Sequence, residues 1–395
     1  MKHLSMIAEE LRKIVSSGAK LTRLDSSSNP ILLVEEASNR QIEVIGEKLV
    51  KTLEYTRLKP PSDLYALDSS SRVIETPYLF LAIGAGGVFS RFTGRGFDVP
   101  HASSILGLEE PLCRHILLVP EVELESDILN SIMNIPGVLT KNPLGAQYSS
   151  YYNKHIALVE LRLFIENCLL EKFHDSSLVN DKPVLLIDGP LLYPKTIITE
   201  STYPSPRERI KTYIDSLDYL NKQRSKVVDN LIENGIYVAG IVKRLNRSYY
   251  LSTIDPFGLS TGKINDEAYI DTLITRMKPF ISRSLLIGPL RVKQEAGGMG
   301  RLLWYIVASR RIYPAPGRMG NYAVFRVEIP ESIESKNQEL LGYVFYDSLN
   351  TGSLLPLSIL IVDKRVKKIS SSITTYLLYT TGIPIEATSQ YITMF

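Results

Sequence analysis

Three carboxylates stand inside apolar segments of this sequence, where an acidic side chain needs a compensating partner. Asp68 follows the apolar run LYAL, Asp188 follows VLLI, and Glu160 interrupts IALVELRLF. A carboxylate on a buried surface costs several kcal/mol unless it is paired or binds a cation. Oxygen-only ligands favour Mg²⁺ or Mn²⁺ over zinc. The pattern therefore indicates Asp68, Glu160 and Asp188 as metal-binding and catalytic candidates.

Each of these residues also has an ordinary structural interpretation. An Asp after a strand often forms a turn, and Asp188 precedes Gly-Pro while Asp68 precedes three serines. A Glu within a helix is usually solvated, although the neighbours of Glu160 are apolar. The order of the three is more informative, because it is the layout of RNase H-like nucleases. In those enzymes carboxylates hold one or two divalent ions for phosphodiester hydrolysis.

The elements that would position these residues alternate between strands and helices. We expect long helices over residues 149–173 and from Ser205 to a C-cap at Gly235. We expect strands at LYALDSSS, YLFLAIGAGGVFS, HILLVPEVE, PVLLIDGPLLY, IYVAGIVKRL, YAVFRVEIP and LGYVFYDSL, with the GAGG glycines at a turn. Residues 1–57 have helical spacing, including Gln41–Leu58.

These elements predict an α/β protein with an RNase H-like mixed sheet flanked by helices, an N-terminal helical segment and C-terminal elaborations. The predicted division is a helical segment over residues 1–60 and a nuclease domain over residues 61–395.

The amino-acid composition is that of an ordinary globular protein. The chain has 395 residues, 44% hydrophobic and 22% charged, with a net charge of +3, which is typical of a globular protein. Its two cysteines form no CxxC pair, and its five histidines show no HExxH spacing, which argues against a zinc site. We recognise no signal sequence and no apolar run of about 20 residues, so we expect a cytoplasmic protein without membrane association.

Four motifs in order, YALDSSS, LLIDGPL, GIVKRL and YAVFRVEIP, resemble those of the NurA family, nucleases that act with the HerA translocase in DNA end resection in archaea and some bacteria. The resemblance runs from about Leu64 to Asp363. It implies a DNA nuclease that uses Mn²⁺ or Mg²⁺, a HerA-type hexameric ATPase as partner, and a homodimer. It further implies single-strand endonuclease and 5′–3′ exonuclease activity on single strands and duplex ends, in double-strand break repair.

The resemblance also assigns roles to single residues. Asp68, Glu160 and Asp188 match its acidic positions. Lys243, after the next strand, matches a basic residue with a catalytic or phosphate-binding role, and Arg326 matches an arginine that is structural or contacts phosphate. Arg244 adjoins Lys243, so we expect nucleic-acid contacts from Lys243, Arg244 and Arg326.

Two positions depart from the family pattern. Ser69 stands where the first motif usually has Gly, and the C-terminal His that completes the family's metal site is missing. Asp363 is the nearest equivalent of that His and is a fourth candidate metal ligand. An equally open interpretation is a surface Asp beside Lys364 and Arg365.

The second long helix carries recurring cations. They are either a surface that follows the DNA backbone or an ordinary solvated face. The residues are Arg207, Arg209, Lys211, Lys222, Arg224 and Lys226.

Three functions compete on this evidence. The first is the nuclease, and the second is an inactive RNase H-like scaffold that binds DNA or the translocase. The third is a phosphotransferase of the actin and sugar-kinase type, whose phosphate loops we do not find in register. Convergence of Asp68, Glu160 and Asp188 to metal-bridging distance distinguishes the first from the second.

Overall fold

A computed structural model describes residues 2–17, 31–36, 38, 40–52, 60–76, 78–123, 126–199, 207–260, 262–276, 284–293, 298–309, 322–348 and 354–381. The helices are α1 Lys2–Ser17, α2 Ala102–Leu106, α3 Ser126–Met133, α4 Lys154–His174, α5 Arg207–Glu233, α6 Tyr250–Ile254, α7 Asp266–Arg276, α8 Asn337–Ser348 and α9 Leu357–Thr381. Among these described helices, none combines the length and apolar character required to cross a bilayer.

The strands of the described residues form one twelve-stranded mixed sheet and a separate pair, β1 with β10. Their bounds are β1 Ile31–Val34, β2 Ile42–Val44, β3 Val50–Thr52, β4 Leu64–Glu75, β5 Leu79–Ser90, β6 Gly96–Val99, β7 Ile116–Pro120, β8 Val138–Leu139, β9 Val184–Asp188, β10 Thr196–Thr199, β11 Tyr237–Val242, β12 Leu285–Val292, β13 Arg301–Ser309 and β14 Tyr322–Pro330.

The centre of the large sheet runs in the order β7-β5-β4-β9-β11. Strands β4, β5 and β7 are antiparallel neighbours, whereas β9 is parallel to β4 and β11 is parallel to β9. Parallel neighbours need a crossover, and the chain makes these crossovers through α4 and α5. This is the arrangement expected of an RNase H-like core, and the predicted mixed α/β sheet with flanking helices is confirmed.

The pleat of the central strands decides which side chains meet which helices. Along β4, Tyr65 and Leu67 pack into the core beneath α4 and α5, whereas Leu64 and Ala66 pack into the core beneath α8 and α9. Side chains alternate along a strand, so Asp68 lies on the α9 face. The same alternation in β9 puts Asp188 on that face, with Leu186.

Strand β4 is longer than the sequence indicated. Asp68 was expected at a strand end, but β4 continues to Glu75 because the serines after Asp68 pair with β5. The GAGG glycines lie inside β5 instead of forming a turn. A Cβ on Gly84 would lie 2.4 Å from Ile165 Cδ1, and one on Gly86 would lie 2.7 Å from Leu169 Cδ1. These glycines therefore let α4 pack directly on β5.

Two predicted elements have the wrong type. The helix expected over residues 41–58 is replaced, where the structure describes it, by β2 and β3, which pair with β12 and are separated by Gly46 at φ +86°. The strand expected at LGYVFYDSL is part of α8, because Leu340, Leu341 and Val344 recur at helical spacing and bury one face. The remaining N-terminal helix, α1, packs its apolar side against α9.

Candidate metal centre

Asp68, Asp188 and Asp363 form an acidic cluster, although 295 residues separate the first from the last. One carboxylate oxygen from each lies within 4.8 Å of the other two. Asp68 and Asp188 come from neighbouring strands, where Leu67 pairs with Ile187 one position earlier. Helix α9 crosses the same face of the sheet and brings Asp363 to them.

The electrostatics of the acidic cluster favour a bound cation. Burial, and then the charges of Asp188 and Glu166, raise the pKa of Asp68 well above its usual range. Burial raises the pKa of Asp188 to about 6, even though the adjacent Lys243 lowers it. Three carboxylates at this separation repel one another unless a proton or a cation is shared. The all-oxygen donor set suits Mg²⁺ or Mn²⁺, so these residues fit a divalent cation.

Lys243 and Arg244 follow β11, and Lys243 lies at the margin of the acidic cluster. Because Ala239 and Ile241 of β11 face α8 and α9, the pleat brings Lys243 to that face as well. Lys243 Nζ donates a hydrogen bond to Asp188 Oδ2 at 2.5 Å. The side chain of Lys243 is 23% exposed, and Arg244 is exposed. Lys243 is thus accessible beside the carboxylates, whereas Arg244 is shown only to be exposed, one residue further along the chain.

The helical carboxylate tied to the Asp68 strand is Glu166, which our sequence analysis missed. Ser69 Oγ donates to Glu166 Oε1 at 2.5 Å, and Tyr193 Oη donates to the same oxygen at 3.2 Å. The guanidinium of Arg224 donates to Glu166 Oε2, and both side chains are buried. Glu166 interrupts the apolar run FIENCLL, so the criterion that selected Glu160 could have found it.

The family model for the NurA domain matches residues 62–368 of the chain. The chain belongs to the NurA domain family. The matched span contains all three aspartates of the acidic cluster and most of the elements that position them. The departures at Ser69 and Asp363 therefore occur inside a genuine NurA domain.

Solved NurA structures are similar to the chain at low identity. They include the NurA nuclease from Sulfolobus solfataricus, with 10% identity over 94% of this chain and 92% of that chain and a TM-score of 0.39. NurA with manganese matches at 10% identity over 82% and 90% of the two chains, with a TM-score of 0.40. NurA bound to dAMP and manganese matches at 10% identity over 89% and 87%, with a TM-score of 0.37. No curated protein matches the chain.

Glu160 does not join the acidic cluster of this NurA domain, so its assignment as a metal ligand and catalytic residue is corrected. Its carboxylate accepts hydrogen bonds from Tyr148 at 2.9 Å and from Tyr152 at 2.7 Å, and the residue is 1% exposed. Six residues of α-helix turn through about 240° beyond a full turn, so Glu160 and Glu166 point to different sides of α4. The predicted convergence therefore holds for Asp68 and Asp188 but not for Glu160, and Asp363, the fourth predicted metal ligand, joins them.

Burial of Glu160 predicts a distinct pH dependence of stability. Burial raises the pKa of Glu160 to about 7 from an ordinary value of 4.5, although the hydrogen bonds from Tyr152 and Tyr148 lower it. The folded protein then keeps a proton that the unfolded chain releases, so stability falls as pH rises from about 4.5 to about 7. Glu160→Gln removes that loss.

We therefore expect Glu160→Gln to gain stability relative to the wild type between about pH 5 and about pH 8, on the order of a few kcal/mol. Urea unfolding at both pH values measures the free energy of unfolding of the variant and of the wild type. All other titrating groups contribute equally to both proteins, so the change in their difference with pH reports on Glu160 alone. A difference that is independent of pH would show that Glu160 is ionised in the folded state.

Arg326 is also placed differently from the sequence prediction. It is 0% exposed, and its guanidinium donates to Glu328, Glu35 and Ser248. Burial alone would lower its pKa, but Glu35 and Glu328 raise it well above its usual range. A fully enclosed arginine cannot reach DNA, so the predicted nucleic-acid contact is wrong and the role of Arg326 in this NurA domain is structural.

Proposed function

We propose that this NurA-family chain is a divalent-metal-dependent deoxyribonuclease in which Asp68, Asp188 and Asp363 hold Mn²⁺ or Mg²⁺. The observation that carries the proposal is the convergence of three carboxylates within 4.8 Å on one face of the sheet. The raised pKa values of Asp68 and Asp188 support it, because a bound cation offsets both the burial and the lesser mutual repulsion that raise them.

When bound, the cation supplies Lewis acidity and lowers the pKa of an attacking water. The chain itself positions the ligands: Asp68 and Asp188 from the rigid sheet, and Asp363 from α9. Lys243, beside Asp188, binds a phosphate oxygen of the nucleic acid, and the exposed Arg244 contacts the backbone nearby. Glu166 fixes the Asp68 strand through its hydrogen bond from Ser69.

The finer activity follows from family membership. We infer a single-strand endonuclease and 5′–3′ exonuclease on DNA strands and duplex ends, acting as a homodimer with a HerA-type hexameric ATPase in DNA end resection and double-strand break repair. The NurA domain match over residues 62–368 supports this inference.

Cleavage of end-labelled DNA tests the proposal. Single strands and duplexes should be cut with Mn²⁺ and remain intact without a divalent ion. Asp68→Asn should lose both cleavage and calorimetric Mn²⁺ binding, because one of three ligands becomes neutral. Asp175→Asn is the matched control, since Asp175 has a side chain 73% exposed at the end of α4. Wild-type cleavage by Asp68→Asn would remove Asp68 from the site.

The inactive scaffold is the second candidate function. The ion pair between Lys243 and Asp188 favours it, because an ammonium at 2.5 Å already neutralises one ligand. A scaffold would bind DNA with and without Mn²⁺ and cut it in neither case, so the same assay separates the two functions.

A further inference from the structure

We propose that a groove between β4 and α9, beside the acidic cluster, binds the sugar-phosphate backbone of the nucleic-acid strand that the cluster cleaves. This inference rests on the proposed nuclease function. The α9 groove has a volume of about 540 Å³ and is lined by Arg72, Lys367, Lys368, Ser371, Ser372 and Thr375.

The α9 groove begins where the acidic cluster ends. Lys367 lies one helical turn after Asp363, and its Nζ is 2.8 Å from Asp363 Oδ1. Arg72 lies four residues after Asp68 on β4, so both side chains project from the same face. From Lys367 to Thr375 the groove extends about 12 Å along α9. A strand whose scissile phosphate lies at the cluster can therefore continue directly into it.

The chemistry of the lining matches a phosphodiester backbone. Three lining residues are cations and three carry hydroxyl groups, and none is acidic. Within the described part of the chain, no carboxylate forms an ion pair with Arg72 or Lys368. Arg72 lies on β4 and is half-buried. The groove therefore differs from an ordinary solvated helix face, on which every cation is exposed and comes from the same helix. Guanidinium, ammonium and hydroxyl donors are the groups that proteins use to contact phosphates.

The rival surface on α5, which the sequence indicated, is less suitable. Helix α5 packs into the core on the opposite face of the sheet from Asp68 and Asp188. Arg224 is fully buried against Glu166, and Lys222 forms an ion pair with Asp218 at 2.7 Å. The cations of α5 are therefore separated from the acidic cluster by the sheet itself.

Salt-dependent binding tests the inference. We expect the double variant Arg72→Ala, Lys368→Ala to bind a labelled single-stranded oligonucleotide more weakly, measured without divalent ions so that no cleavage occurs. Each lost phosphate contact lowers the slope of log affinity against log salt by about 0.7 for single strands, which gives about 1.4 for both. Between 50 and 200 mM salt, the wild type should then lose roughly sevenfold more affinity than the variant.

The matched control is Lys211→Ala, Lys226→Ala, which removes two exposed cations from α5. Its slope should equal that of the wild type. Equal slopes for the two double variants would contradict the proposal that the α9 groove binds the nucleic-acid backbone, and would show that it is an ordinary solvated basic face. If the double variant fails to fold, Lys368→Ala alone, at an exposed position, should lower the slope by about 0.7. Failure of the nuclease proposal is distinguishable, because it appears as absent Mn²⁺-dependent cleavage by the wild type.

Discussion

Asp188→Asn should abolish Mn²⁺-dependent cleavage while nucleic-acid binding stays equal or becomes tighter. The substitution keeps the size of the side chain but removes one charged ligand from the acidic cluster. It also releases Lys243 from its ion pair and lowers the repulsion of phosphates, so binding should not weaken. Loss of an outer-shell partner of a metal ligand typically costs about 10–100-fold, and loss of a direct ligand should cost more.

Single-turnover cleavage with Mn²⁺, together with binding isotherms without it, measures both effects. Asp175→Asn, remote from the acidic cluster, should retain both properties of the wild type. A cleavage rate within a few-fold of the wild type in Asp188→Asn would place the active site elsewhere. Weaker binding with unchanged cleavage would contradict the role of Asp188 as a ligand and indicate a role in DNA recognition.

Arg326→Ala should lower the free energy of unfolding by about 3–5 kcal/mol, the range typical of breaking a buried ion pair. The loss arises because the carboxylate of Glu35 loses its guanidinium partner, while the buried carboxylate of Glu328 keeps only Arg301. The consequence also reaches the acidic cluster, because Glu328 Oε2 accepts the backbone N–H of Leu191, three residues after Asp188.

Urea unfolding measures this loss, with Lys226→Ala as a control that should change stability by less than about 0.5 kcal/mol. Arg326→Lys keeps the charge but not the planar arrangement of five N–H donors. Its free energy of unfolding should therefore lie between those of Arg326→Ala and the wild type. If Arg326 contacted DNA instead, Arg326→Ala would unfold like the wild type and would flatten the salt dependence of binding.

The parts of the acidic cluster that depend on local pattern were predictable. Asp188 ends an apolar run that forms a strand buried on both faces, and this run is visible in the sequence. Asp68 was identified for the same reason, although its strand extends further than expected. Glu160 and Glu166 interrupt the same apolar helix, and only the packing of that helix decides which of them reaches Ser69.

Other features depend on tertiary structure. Asp363 has no distinguishing local pattern, and only the crossing of α9 over the sheet brings it to Asp68. A signal for the buried role of Arg326 did exist, since Arg326 and Glu328 are two residues apart on one strand and therefore project from the same face. The cations of α5 were correctly seen as a run, but their sequence does not show that the sheet separates them from the cluster.

Two carboxylates of the acidic cluster come from the sheet and one comes from α9. An ion held there would therefore connect the sheet to the helix through its bonds to all three. Occupancy of the ion and docking of α9 are then thermodynamically linked, so each strengthens the other by the same free energy. Helix α1 also packs on α9, and Ile7 and Leu377 belong to the apolar core that the two helices share, 14 residues along α9 from Asp363, so α1 contributes to the same docking equilibrium. Substitutions that loosen the contact between α1 and α9 would therefore reduce the affinity for the ion without touching any of its ligands.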